Sequence, residues 1–169
     1  MPANSAPIHT LRLETTRMRI LIIDDSVVMG KIVENALRHS GLKLREVLHA
    51  ANGVEGLAAL ENAAALNESL DLILCDVHMP VMDGLGFLLE KPKRNLAPSV
   101  PVVMITADES DPHLLQAIAT GAQGYISKPF TLEQMQTSVA SLLNAPGSAL
   151  PDRAVPPTGT PRQTIGGAP

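Results

Sequence analysis

The sequence contains few of the residues that mark disulfide-stabilised, membrane-spanning or aromatic-rich proteins. Of its 169 residues one is cysteine, none is tryptophan and two are phenylalanine. A single cysteine cannot form an intramolecular disulfide, which favours a reducing compartment. No apolar run approaches the ~20 residues of a membrane span, and the first ten residues lack the pattern of a secretory signal. We therefore expect a cytoplasmic protein.

An excess of positive charge is also lacking. Thirteen Lys and Arg residues stand against 17 Asp and Glu residues, so the formal net charge is −4. A mildly acidic chain is not attracted to nucleic acid or to anionic lipid, and we expect neither as a partner. Hydrophobic residues make up 45% of the chain, which is enough for an aliphatic core.

The composition divides the chain into three parts. Residues 1–17 hold two prolines and no clear period, and they are predicted to be an N-terminal arm. Residues 18–145 carry the ordered pattern of one domain. Residues 146–169 contain six prolines and four glycines. Such a segment cannot bury much surface, so we predict a disordered tail.

Short apolar runs alternate with helical patterns throughout residues 18–145. The predicted strands are Arg19–Asp24, Val47–Ala50, Leu72–Asp76, Val102–Thr106 and Gly124–Ser127. A helix capped by Ser26 and stopped at Gly41 follows the first strand, and further helices are predicted at Gly53–Leu66, Leu85–Glu90, Asp111–Thr120 and Thr131–Leu143. Continuously apolar strands separated by helices predict an α/β fold, with a doubly wound, five-stranded parallel sheet and five helices.

Two helices have a predicted inward face, and one has a predicted early end. The first helix should bury Met29, Ile32, Val33, Ala36 and Leu37, and the last should bury Leu132, Met135, Val139 and Leu142. The third helix should stop by Glu90, because Pro92 follows two residues later.

Polar residues follow the predicted strands where ligands bind in such sheets. Asp24 ends the first strand and Asp25 follows it, Asp76 ends the third, Thr106 ends the fourth and Lys128 follows the fifth. Three clustered carboxylates repel one another unless a cation is present, and oxygen ligands beside a phosphate suit Mg²⁺. A metal, an ammonium and a hydroxyl around one carboxylate indicate phosphoryl transfer to that carboxylate, for which Asp76 is the best candidate.

The segments ILIIDDSVVM, LILCDVHMPVMDG, VVMITA and GYISKPF, in this order, resemble the response-regulator receiver family and its chemotaxis-type members. The resemblance covers about residues 18–145 and implies a flavodoxin-like fold. It further implies that Asp76 is the phosphoacceptor and that Asp24, Asp25, Asp76 and the backbone carbonyl of His78 hold Mg²⁺. Lys128, preceding a cis bond to Pro129, would contact the phosphoryl group.

The resemblance also implies a switch and partners. Thr106 would turn to the phosphoryl group and Tyr125 would rotate inward behind it. A histidine kinase or phosphotransfer protein would be the donor. A downstream protein would bind the face formed by the fourth helix, fifth strand and fifth helix, and a weak homodimer could use the same face.

Three functions remain open from the sequence. The leading interpretation is a stand-alone signalling receiver that catalyses only its own phosphorylation and dephosphorylation. A phosphate sink or adaptor is the second. A metal-dependent phosphatase is the third, and it is disfavoured because His78 occupies the place of the second acid. The histidines show no zinc-type spacing, and the His78 ring is expected to face solvent.

Overall fold

The computed structural model describes residues 17–144. The arm predicted at residues 1–17, apart from residue 17 itself, and the tail predicted at 146–169 lie outside the described residues. Five strands occur, β1 Met18–Ile23, β2 Leu44–Ala50, β3 Leu72–Asp76, β4 Val102–Thr106 and β5 Gly124–Ser127. Five helices alternate with them, α1 Val27–His39, α2 Gly53–Ala65, α3 Gly84–Lys93, α4 Pro112–Thr120 and α5 Leu132–Asn144.

The strands form one sheet in the order β2-β1-β3-β4-β5. Every pairing is parallel, and the carboxyl ends of β1, β3 and β4 therefore share one edge. This arrangement confirms the predicted doubly wound, flavodoxin-like fold. None of the helices in residues 17–144 is long and apolar enough to span a bilayer.

Helices cover both faces of the sheet, which explains why its central strands are apolar throughout. Leu21, Ile23 and Cys75 pack with α2, α3 and α4, whereas Ile20 and Ile22 pack with α1 and α5. Successive strand residues point to opposite faces, so each run fills two cores. Cys75, the one cysteine of the chain, is fully buried in the first of these cores.

The prediction of inward-facing residues is wrong at two positions. Ile32 is 47% exposed and Leu132 is 42% exposed. In α1 the buried stripe is Gly30, Val33 and Leu37, and Ile32 lies beside this narrower stripe. Leu132 is the first residue of α5, one turn before Met135, where the helix first reaches the sheet.

The predicted end of the third helix is also wrong, because α3 continues through Pro92 to Lys93. A proline removes one helical hydrogen bond, but near the end of a helix that loss is confined to the last turn. Leu88 and Lys91 are buried, and Nζ of Lys91 donates to the carbonyl oxygen of Ala97 at 2.7 Å. These contacts anchor the turn that contains Pro92.

The edge strand β2 is longer than predicted. It begins at Leu44 rather than at Val47. Most of its residues are only partly buried, and its early part contains Arg45 and Glu46. These charged residues obscured the strand pattern in the sequence. Glu46 accepts from Nε of the buried Arg19 at 2.5 Å, which ties β2 to β1.

Candidate functional site

Three carboxylates converge at the carboxyl edge of the sheet. Asp24 and Asp25 follow β1 and Asp76 ends β3, and each offers an oxygen within 4.8 Å of the others. These two strands are hydrogen-bonded neighbours, so their ends deliver the acids to one place. Asp24 is buried and Asp25 is exposed. The cluster therefore opens to solvent on the side of Asp25.

Asp24 is fixed by its local backbone. Its Oδ1 accepts from the N–H of Ser26 at 2.8 Å, and its own N–H donates to the carbonyl oxygen of Ala50 at 3.0 Å. Ser26 in turn caps α1, because its Oγ accepts from the N–H of Met29 at 3.2 Å. Ser26 is therefore the residue that caps α1, and Oδ2 of Asp24 faces the cluster of carboxylates.

Lys128 bridges two of the acids. Its Nζ lies 3.3 Å from Oδ1 of Asp76 and 3.5 Å from Oδ2 of Asp24. The Lys128–Pro129 peptide bond is cis, as the resemblance implied. The N–H of Lys128 donates to the carbonyl oxygen of Thr106 at 2.6 Å, which extends the pairing of β4 and β5 by one residue. The ammonium is thereby held beside Asp76.

Asp76 experiences opposing electrostatic effects. Burial raises the pKa of Asp76 above its ordinary value, and the neighbouring Asp24 raises it further. The ammonium of Lys128 and the N–H of Val77, 3.0 Å from Oδ1, lower the pKa without cancelling the rise. The ionised form of Asp76 is therefore disfavoured, and a cation bound among the three carboxylates would stabilise it.

The three acids form a donor set that fits Mg²⁺. All three offer hard oxygen ligands, which Mg²⁺ prefers together with water and phosphate oxygens. Their open side leaves room for those remaining ligands. His78 lies two residues past Asp76 in the loop that leaves β3. We count its carbonyl as a further candidate ligand.

Thr106 is buried at the end of β4, but its hydroxyl is engaged elsewhere. Oγ1 donates to the carbonyl oxygen of Asp108 at 2.8 Å and accepts from the N–H of the same residue at 3.1 Å. The structure therefore brings Thr106 to the correct edge without joining it to Asp76 by a hydrogen bond. Its side chain must exchange partners to reach a group bound on Asp76.

Tyr125 lies on the same side of the sheet as Thr106. It pairs in register with Met104 in the neighbouring strand, two residues before Thr106. Its side chain packs against the hydrophobic core that contains Met104. Burial raises the pKa of Tyr125, and the charge of Glu109 adds to that effect. The ring is half-buried at the edge of the sheet.

The His78 ring faces solvent, as predicted, and it also contacts a carboxylate. Although 63% of the side chain is exposed, Nε2 contacts Oδ2 of Asp111, the N-cap residue of α4. His113 joins the same carboxylate, with Nδ1 3.3 Å from Oδ1. The sequence showed no zinc-type spacing because the two histidines are far apart. Their proximity could have been inferred from topology, since the segments that contain them follow the neighbouring strands β3 and β4 at one edge of the sheet.

Comparisons with known proteins place the chain in a family. Residues 20–140 match the family described as response regulator receiver domain. The glycerol metabolism activator of Pseudomonas putida is 36% identical over 129 residues, which cover 75% of this chain and 54% of that protein. The chain therefore spans about half the length of that relative.

Two further comparisons concern chemotaxis proteins. Chemotaxis protein CheY1 of Helicobacter pylori is 30% identical over 126 residues, which cover 75% of this chain and 97% of that protein. A crystal structure of a CheX–CheY–BeF₃–Mg²⁺ complex from Borrelia burgdorferi superposes with a TM-score of 0.63 at 26% identity, covering 74% of this chain and 88% of that one. The chain belongs to the response regulator receiver domain family and has the CheY-like receiver fold of two-component signalling.

Proposed function

We propose that Asp76 accepts a phosphoryl group in a Mg²⁺-dependent reaction and that phosphorylation changes which proteins this receiver binds. The observation that carries the proposal is the meeting of three carboxylates and the Lys128 ammonium at one edge of the sheet. A histidine kinase or phosphotransfer protein is the proposed donor, and the cytoplasm is the proposed location. The chain would then act as a signalling protein that catalyses only its own phosphorylation and dephosphorylation.

The two oxygens of Asp76 have different surroundings. Within the described residues, the hydrogen bonds from Val77 and Lys128 both fall on Oδ1. We therefore assign the attack to Oδ2. This oxygen forms the new P–O bond while the phosphorus–nitrogen bond of a phosphohistidine donor breaks, and the electron pair stays on the donor imidazole. Hydrolysis of the acyl phosphate later returns the carboxylate and releases inorganic phosphate.

Asp24, Asp25, Asp76 and the His78 carbonyl would hold Mg²⁺, with Asp24 acting largely through a water. The ion would supply positive charge beside the transferring phosphoryl oxygens. Lys128 supplies positive charge from its own side, because its Nζ already lies beside Asp76. Such fixed charges are the main catalytic contribution in phosphoryl transfer.

Thr106 and Tyr125 would transmit the change. A phosphoryl oxygen can replace the carbonyl oxygen of Asp108 as acceptor for the Thr106 hydroxyl. This movement of the Thr106 side chain would leave space on the side of the sheet where Tyr125 packs. The proposed output face is α4, β5 and α5. It carries the exposed apolar residues Leu115 on α4 and Leu132 on α5, and a weak homodimer would use this face as well.

Beryllofluoride, a phosphoryl mimic, tests the proposal together with Mg²⁺. We expect the amide resonances of β4, β5 and α4 to shift only when both are present, and not in Asp76→Asn. Glu61→Gln, which changes an exposed acid on α2, is the control and should respond like the wild type. A response that persists in Asp76→Asn would refute the assignment.

Partner capture separates a signalling receiver from a phosphate sink. We expect at least one partner to bind the beryllofluoride form differently from the free form, and Leu115→Ala or Tyr125→Ala to reduce that difference. Partners that are all indifferent to the mimic would favour the sink.

A further inference from the structure

We propose that His78, Asp111 and His113 form a second metal site, specific for a borderline divalent transition metal such as Zn²⁺ and separate from the three carboxylates. One ring nitrogen of each histidine and a carboxylate oxygen lie within 4.8 Å of one another. His78 comes from the loop after β3, and the other two ligands come from the first turn of α4. This inference does not depend on phosphorylation of Asp76.

Asp111 lies between the two rings. One carboxylate oxygen, Oδ2, contacts Nε2 of His78, and the other, Oδ1, lies 3.3 Å from Nδ1 of His113. The ring centroids are 5.2 Å apart and the planes are inclined by 70°. Two imidazoles that bind one ion at a Zn–N distance of about 2.0–2.1 Å, at a tetrahedral angle, have centroids about 5 Å apart. The rings are therefore already separated as a shared ion requires.

The carboxylate is fixed while the rings can adjust. Asp111 has a side chain that is 10% exposed, and Oδ1 also accepts from the N–H of His113 at 2.9 Å. The side chains of His78 and His113 are 63% and 49% exposed. Small rotations of the rings can bring their nitrogens to bonding distance, and the exposed side leaves a fourth position for water.

The donor set distinguishes this site from the acidic cluster. Two imidazole nitrogens and one carboxylate oxygen suit Zn²⁺, Co²⁺, Ni²⁺ or Cu²⁺, whereas Mg²⁺ selects oxygen ligands. Metal binding here would cross-link the loop that leaves Asp76 to the start of α4. Occupancy should therefore stabilise these two segments against local opening.

Calorimetric titration of the full chain with Zn²⁺, in excess Mg²⁺ and in the Asp25→Asn background, tests the proposal. We expect one Zn²⁺ bound per chain. His113→Ala and His78→Ala should each weaken binding by more than the roughly 10–100-fold that loss of an outer-shell partner costs. Asp111→Asn should do the same while preserving the cap of α4, because asparagine caps about as well as aspartate.

His39→Ala is the matched control, since His39 is an exposed histidine on α1 whose ring contacts the carbonyl oxygen of Asn35 and no carboxylate within the described residues. It should bind Zn²⁺ as the wild type does. A d–d spectrum of bound Co²⁺ and a Zn²⁺-dependent rise in Tm, both lost in His113→Ala, would support the site. Binding that is absent, or equal in wild type and His113→Ala, would overturn it.

Discussion

Lys128 and Asp76 face each other across the carboxyl edge of the sheet, with Nζ of Lys128 3.3 Å from Oδ1 of Asp76. The same ammonium lies 3.5 Å from Oδ2 of Asp24. One cation is thus shared by two acids that are both shielded from solvent. This relationship ties the stability of the free protein to the chemistry proposed for Asp76.

Replacing Lys128 should separate metal binding from phosphorylation. In Lys128→Ala the two acids lose the cation they share, so we expect the free protein to lose about 1–3 kcal/mol of stability. Mg²⁺ should bind at least as tightly, because it no longer competes with the ammonium, whereas phosphorylation should slow by more than about tenfold. Urea unfolding, Mg²⁺ titration and phosphorylation kinetics measure the three effects. Lys93→Ala on α3 is the control, and equal loss of Mg²⁺ binding and phosphorylation would contradict the separation.

Asp76→Asn should stabilise the metal-free protein. Since burial and Asp24 raise the pKa of Asp76 in the folded state, the ionised carboxylate opposes folding at neutral pH. Removing its charge should raise the free energy of unfolding by about 1 kcal/mol. The gain should diminish as pH falls through the raised pKa, because the wild-type residue is then neutral as well. Thermal unfolding with a chelator present checks this, and a destabilised Asp76→Asn protein would contradict it.

Glu34 should contribute stability that depends on pH. Hydrogen bonds from Arg38, His49 and Lys31 lower its pKa from 4.5 to about 2 despite its burial. A depressed folded-state pKa means that the contribution is complete above about pH 4.5 and is lost as pH falls towards 2. We expect Glu34→Gln to cost about 1 kcal/mol at pH 7, since Arg38 and Lys31 are exposed partners.

The pH profile supplies the check on Glu34. The difference in unfolding free energy between Glu34→Gln and wild type should shrink between pH 4.5 and 2, whereas Glu61→Gln should show little difference at any pH. A constant difference over that range would show that the ion-pair cluster is not its source.

Gly84→Ala should disturb the acceptor directly. A Cβ at Gly84 would overlap the backbone carbonyl oxygen of Asp76 and lie 2.6 Å from Cε of Met104. Since the backbone cannot yield cheaply, we expect a loss of about 2–4 kcal/mol. Gly124→Ala is the matched control, because its nearest neighbour would be an ordinary contact at 3.8 Å with Leu142. Equal stability of the two variants would refute the close approach at Gly84.

The fold could be predicted because its central strands carry an unmistakable pattern. The bounds of β3, β4 and β5 agree with the sequence prediction, since apolar runs covered on both faces leave little ambiguity. The end of the third helix was predicted wrongly because the rule that proline ends a helix does not hold for a proline in the last turn. Ile32 and Leu132 were predicted wrongly because an apolar residue at helical spacing can still lie beside the buried stripe.

The candidate site was only partly predictable. Asp24, Asp25, Asp76 and Lys128 were found because strand ends in a parallel sheet converge. The hydrogen bonds of Thr106 to Asp108 could not be predicted, since they depend on the path of a loop. The cluster of His78, Asp111 and His113 was missed because its members are distant in sequence, although topology places their segments at one edge.

The most direct test of the account is the intact mass of the protein after incubation with acetyl phosphate. We predict one added phosphoryl group per chain in the presence of Mg²⁺, none with a chelator, and none in Asp76→Asn. Peptide mapping should locate the group on Asp76, and base should remove it. Phosphorylation of Asp76→Asn to the wild-type extent, or equal phosphorylation with and without Mg²⁺, would contradict the account.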